Sequence, residues 1–100
     1  MATSDPMENP SLTISLLELN CRVITERVDL ARCRLQSPAH VSEVETAACR
    51  EIAHLRSIAR RLASEVGDQE TARAAIAMDA DLATLDHEIR ITQPTTQYAC

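Results

Sequence analysis

Ile14, Leu17, Cys21, Ile24, Val28, Ala31 and Leu35 recur at alternating spacings of three and four residues, which lays one unbroken apolar stripe along a single helical face. A stripe of that length needs another helical surface to cover it. Asn9, Pro10 and Ser11 supply the start, since proline is tolerated in the first turn of a helix and Asn or Ser can cap it. Ser37-Pro38 supplies the stop, because the residue before a proline is pushed out of the α region. The pattern predicts a first helix from about Pro10 to Gln36.

The same helix carries a second apolar strip, Leu12, Leu16, Leu19, Val23 and Leu30, well round the cylinder from the first. Asn20, Arg27 and Arg34 fall between the two. A helix with two separated apolar faces expects partners on two sides. Either an intrachain bundle uses both faces, or one of them meets a second molecule.

Ser37 can also cap a second helix that opens at Pro38, with Ser42 and Glu45 as a later alternative at capping-box spacing. Val41, Val44, Ala48, Ile52, Leu55, Ile58, Ala59, Leu62 and Val66 form its stripe, and its other faces are charged. Gly67, the only glycine in the chain, follows where a left-handed residue is expected to close the helix. Asp68 is a good N-cap for a third helix, with Glu70 in the first turn where the dipole favours acids. Ala75, Met78, Leu82, Leu85 and Ile89 make the third seam, with Ala72, Ile76 and Ala83 beside it. Thr92-Gln93-Pro94 ends the helix near Ile91.

These signals predict an all-α fold, an antiparallel three-helix bundle with coiled-coil-like heptad seams over residues 10–91 and helices at about 10–36, 38–66 and 68–91. Short turns between consecutive helices make them antiparallel neighbours. Residues 1–9 read as a disordered leader and 92–100 as a flexible tail.

Composition narrows this picture. A chain of 100 residues makes one domain with a thin core, supplied by 22 Leu, Ile and Val residues and many alanines, with no Phe or Trp. Stability as a lone monomer is doubtful on that supply. All ten basic residues are arginine against fifteen acids, and the net charge of −5 disfavours nucleic-acid backbones and anionic membranes as general partners. The absence of lysine, with only two Asn, hints at a GC-rich coding genome of bacterial or phage type. No apolar run approaches the roughly 20 residues of a membrane span, and the first nine residues lack the basic start of a secretion signal. The expected location is the cytoplasm. Cys21, Cys33, Cys49 and Cys100 lack the close spacings of a stapled mini-domain and are read as reduced, with Cys21 part of the seam.

No stretch reads as a catalytic, metal-binding or phosphate-binding motif. Antiparallel pairing about Gly67 brings His87 roughly level with Cys49, but two ligands fall short of the three or four that zinc requires, and Cys21, Cys33, His40 and His54 lie at other levels. Asp79, Asp86 and Arg90 are expected on the exposed side of the third helix, with Asp81 and Glu88 flanking its seam, so the carboxylates read as a solvated acidic face. Arg50, Arg56, Arg60 and Arg61 concentrate positive charge on the second helix and are expected to pair with the acids of the third.

The functional expectation is therefore a non-enzymatic helical protein without cofactor or metal, working by protein-protein contact as an adaptor, chaperone, anti-activator or phage-type inhibitor. Its partner-binding surface would be Leu12, Leu16, Leu19, Val23 and Leu30, used for a homodimer, for another protein, or for both. A helical nucleic-acid regulator is the alternative, disfavoured by the net charge and by the lack of a short recognition helix after a tight turn. A small metal-binding helical protein rests only on Cys49 and His87.

Overall fold

Helix α1 (Pro10–Cys33) starts where the sequence places its cap: the Asn9 side chain accepts a hydrogen bond from the Leu12 N–H at 3.1 Å, and Pro10 fills the first turn. Helix α2 (Pro38–Glu65) repeats the device, with Ser37 Oγ accepting from the His40 N–H at 3.2 Å. The chain thus uses Ser37, not the Ser42 and Glu45 pair, to open α2. Helix α3 (Gln69–Ile91) begins after Asp68, whose Oδ2 accepts from the Thr71 N–H at 2.9 Å and from the Thr71 hydroxyl at 2.6 Å. These two bonds, the hydroxyl's first, hold the Asp68 carboxyl below the usual carboxylate range.

The computed structural model describes residues 8–34 and 37–91. Leu35, the expected end of α1 at Gln36, most of the leader and the whole tail lie outside the described residues. Among the described residues there is no strand.

Two ends depart from expectation. α1 closes at Arg34, whose N–H reaches the Leu30 carbonyl. α2 closes at Val66, which turns extended at φ −76° and ψ 140° while its N–H still bonds to the Leu62 carbonyl. Gly67 does not take up a left-handed conformation, and a Cβ placed on it would meet nothing within 4 Å. The helix ends because an extended residue breaks its ladder, and the glycine's special freedom is not used.

Cross-helix pairs give the directions. Arg27 meets Glu51 and Arg32 meets Glu45, so residue numbers fall along α2 as they rise along α1. Arg56 and Arg60 both reach Asp79, and Asp86 lies near the Cys49 thiol, so α3 reverses direction again. α1 and α3 run the same way, with Ile14 near Thr71 at one end and Arg32 bonded to the Ile89 carbonyl at the other. α2 and α3 make the closest pair and α1 lies against both.

The core follows the stripes. Leu17, Ile24, Val28 and Ala31 of α1 are buried, as are Val41, Ala48, Ile52, Leu55, Ala59 and Leu62 of α2 and Ala75, Met78, Leu82 and Ile89 of α3. Ile14, Cys21, Val44, Ile58 and Leu85 pack at the edge of this core, half-buried. Ile76, expected beside the α3 seam, is exposed instead, because at about 100° per residue it lies roughly 130° round the helix from the centre of Ala75, Met78, Leu82 and Ile89.

Candidate functional site

Helix α1 is apolar on two faces, and the bundle uses one of them. Leu12 is 53% exposed, Leu16 48%, Leu19 50%, Val23 38% and Leu30 52%. At about 100° per residue these side chains centre roughly 120° around the helix from Leu17, Ile24, Val28 and Ala31. α2 and α3 both sit on the far side. No sliding of those helices could cover the outer strip without uncovering the core. Between Leu12 and Leu30 the strip runs roughly 27 Å along the helix axis.

The charges of α2 and α3 do structural work. Arg56 Nε donates to Asp79 Oδ1 at 2.8 Å, and Arg60 Nε lies 3.4 Å from Asp79 Oδ2. The Arg56 guanidinium beside it holds the Asp79 carboxyl below the usual range. Asp79 and Asp86 are therefore not on the exposed side of α3: each follows a seam residue, Met78 and Leu85, by one position, and that edge faces α2. Arg90 is exposed and bonds back to Asp86 at 3.0 Å. Arg61 pairs within its own helix, with Glu65 at 3.3 Å, and Arg50 stays exposed.

Cys49 is buried, and its thiol is pushed up by that burial and then by the nearby Asp86 carboxylate. His87 is exposed. Among the described residues no group of three or more His, Cys, Asp or Glu side chains is placed to hold a metal ion. Cys21, Cys33 and Cys49 are free thiols, and Cys100 lies outside the described residues. A groove of about 350 Å³ between α1 and α3 is lined by Thr25, Val28, Asp29, Arg32, Leu85, Glu88 and Ile89. The carboxyls with lowered pKa, Asp68 and Asp79, lie elsewhere and owe it to a helix cap and to an ion pair.

One polar feature of the core is not anticipated by the stripes. Glu45 has no exposed surface, its Oε2 lies 2.8 Å from both Nε and Nη2 of Arg32, and its Oε1 has no hydrogen-bond partner. Arg32 Nη2 also donates to the Ile89 carbonyl at 3.1 Å, which ties one end of all three helices together. The signal was present in the spacing: Val41, Glu45, Ala48, Ile52, Leu55, Ala59 and Leu62 alternate fours and threes, so a glutamate occupies a seam slot.

No protein-family model matches this chain, and no curated protein or solved structure shows significant similarity to it.

Proposed function

We propose that this is a non-enzymatic helical protein that works by protein-protein contact through the outer face of α1, in the manner of an adaptor, a chaperone, an anti-activator or a phage-type inhibitor acting in the cytoplasm. The observation that carries the reading is the exposure of Leu12, Leu16, Leu19, Val23 and Leu30 on the side of α1 turned away from the core. Single exposed aliphatics are ordinary on a soluble protein, whereas a contiguous row of this size marks an interaction surface. Each is about half exposed, so covering it contributes about 1 kcal/mol per side chain. None of the helices in the described residues is long and apolar enough to cross a membrane, which favours a protein partner for the strip over a lipid interior.

A photo-reactive amino acid placed at Leu16 or Val23 in the native cell tests this. Cross-links to protein are expected from both positions and not from Ala47, an exposed site on α2. Equal yields at all three positions, or none at Leu16 and Val23, would overturn the assignment of the surface.

A further inference from the structure

Helix α1 carries two apolar rows, and apolar area alone does not say which of them the bundle buries. The inner row is Leu17, Ile24, Val28 and Ala31, with Ile14 and Cys21 at the edge of the core. The outer row stands level with it: Leu12, Leu16, Leu19, Val23 and Leu30 lie within two positions of Ile14, Leu17, Cys21, Ile24 and Ala31 in turn. A turn of α1 by roughly 120° about its own axis, with a shift of at most about 3 Å along it, would set the outer row where the inner one now lies. Leu19 and Leu30 are larger than Cys21 and Ala31, while Val28 is matched only by Glu26, so the two rows offer similar surface. Glu26 sits about 50° from the centre of the outer row, at its border, where a carboxylate would still reach water.

We infer that Arg32 and Glu45 select which face of α1 the bundle buries. Arg32 lies about 70° from the centre of the inner row and reaches Glu45 at 2.8 Å. With α1 turned, the same arginine would stand about 170° from the row facing the core, on the solvent side. Glu45, which has no exposed surface, would then stay in the core without its cation, and a buried carboxylate stripped of its partner is strongly disfavoured. As a source of stability the pair is a poor choice: Glu45 Oε1 has no hydrogen-bond partner, and an aliphatic side chain would fill that seam slot without desolvating a charge. The pair instead supplies a difference between two packings that aliphatic burial leaves close, as single polar seam residues do when they fix register in coiled coils. Arg27 and Glu51 also join α1 to α2, at 3.2 Å, but both are well exposed and discriminate little. The leucine-rich row is thereby held outside, whatever meets it there.

Two reporters read the two faces. Val28→Cys and Val23→Cys are each made the sole cysteine of the full-length protein, with the four natural cysteines replaced by alanine, and native alkylation is compared with alkylation in denaturant. With Arg32 and Glu45 in place, Val28→Cys is expected to react at least about a hundredfold more slowly than in denaturant, and Val23→Cys within about tenfold of it. In Arg32→Met with Glu45→Leu, protection at position 28 should fall at least about tenfold and protection at position 23 should rise about as much, while the melt stays cooperative. Glu26→Leu added to that double variant should carry the exchange further, and Glu26→Leu alone should leave both rates unchanged. Unchanged protection at position 28 in the double variant overturns the inference. Loss at position 28 with no gain at position 23, or loss of the cooperative melt, overturns it too, since the pair would then hold α1 down without choosing its face. An exchange of protection on Glu26→Leu alone would show that aliphatic area decides, and overturns it equally.

Discussion

Arg32 on α1 and Glu45 on α2 form the ion pair on which one end of the bundle closes, with Nε and Nη2 of the arginine both 2.8 Å from Oε2 of a glutamate that has no exposed surface. A buried pair of this kind is costly to break and not costly to replace, because removing one partner strands a charge in the core while removing both leaves only a packing problem. Arg32→Ala is therefore expected to lower stability by about 3 kcal/mol. Arg32→Met with Glu45→Leu should come within about 1 kcal/mol of wild type, or exceed it. Urea unfolding measures both. A double variant as unstable as the single one would show that the pair contributes more than its own neutralisation.

The elements that were legible in the sequence are those written in local chemistry. Asn9-Pro10, Ser37-Pro38 and Asp68 each start a helix by a cap whose acceptor and donor lie within three residues of one another. The buried stripes of α1 and α2 were legible because core spacing repeats along one face. Glu45 was not, since residue type argues for solvent and only its place in the seam argues against. Asp79 and Asp86 look solvated in the sequence for the same reason: an edge position becomes interhelical only when the neighbouring helix lies on that side, and that is a property of packing. The outer strip of α1 could be read as a row, but whether α3 crossed it depended on the placement of whole helices.

Gly67 offers a test of the second turn. Its backbone is not left-handed and a Cβ would meet nothing within 4 Å, so Gly67→Ala strains nothing in the fold and restricts the unfolded chain. The expected effect is a gain of about 0.4 to 1 kcal/mol. A loss of stability on that substitution would mean the turn needs glycine after all.

Acid should weaken the α2 and α3 interface through Asp79. Its folded pKa is lowered by the hydrogen bond from Arg56, so its contribution is fully present above the unfolded value of about 3.9 and fades as pH falls through the lower folded value. Asp68, lowered by Thr71, fades over the same range. Urea midpoints should fall between about pH 5 and pH 2, and Asp79→Asn should show a shallower fall than wild type. Identical acid limbs for the two proteins would exclude Asp79 as a contributor.

Cys49 is expected to be the inert thiol. Burial raises its pKa and Asp86 raises it further, so at neutral pH it stays protonated as well as covered. Alkylation of the native protein should modify Cys49 at least about a hundredfold more slowly than in denaturant. Asp86→Asn should quicken it by removing the anion that disfavours thiolate. Modification of Cys49 at the denatured rate would place it on the surface.

The buried face of α2 is tested by neighbouring residues of opposite fate. Leu55 belongs to the core and is 7% exposed, so Leu55→Asp drives a carboxylate among Ile52, Ala59 and the apolar side chains of the other helices, where it has no counter-ion. Burying an unpaired charge is among the few single changes that exceed about 4 kcal/mol, which is a large share of what a domain of this size has to lose. Arg56 stands one residue further on and off the stripe, where position alone argues for neutrality. Its 2.8 Å bond to Asp79 argues otherwise: the pair is partly covered, so Arg56→Ala should lower stability slightly. Ser57→Ala, at an exposed position on the same helix, supplies the neutral reference. Circular dichroism melts should therefore rank Ser57→Ala at the wild-type midpoint, Arg56→Ala a few degrees below it, and Leu55→Asp without a cooperative transition. A cooperative melt of Leu55→Asp near the wild-type midpoint would mean that α2 turns a different face to the core.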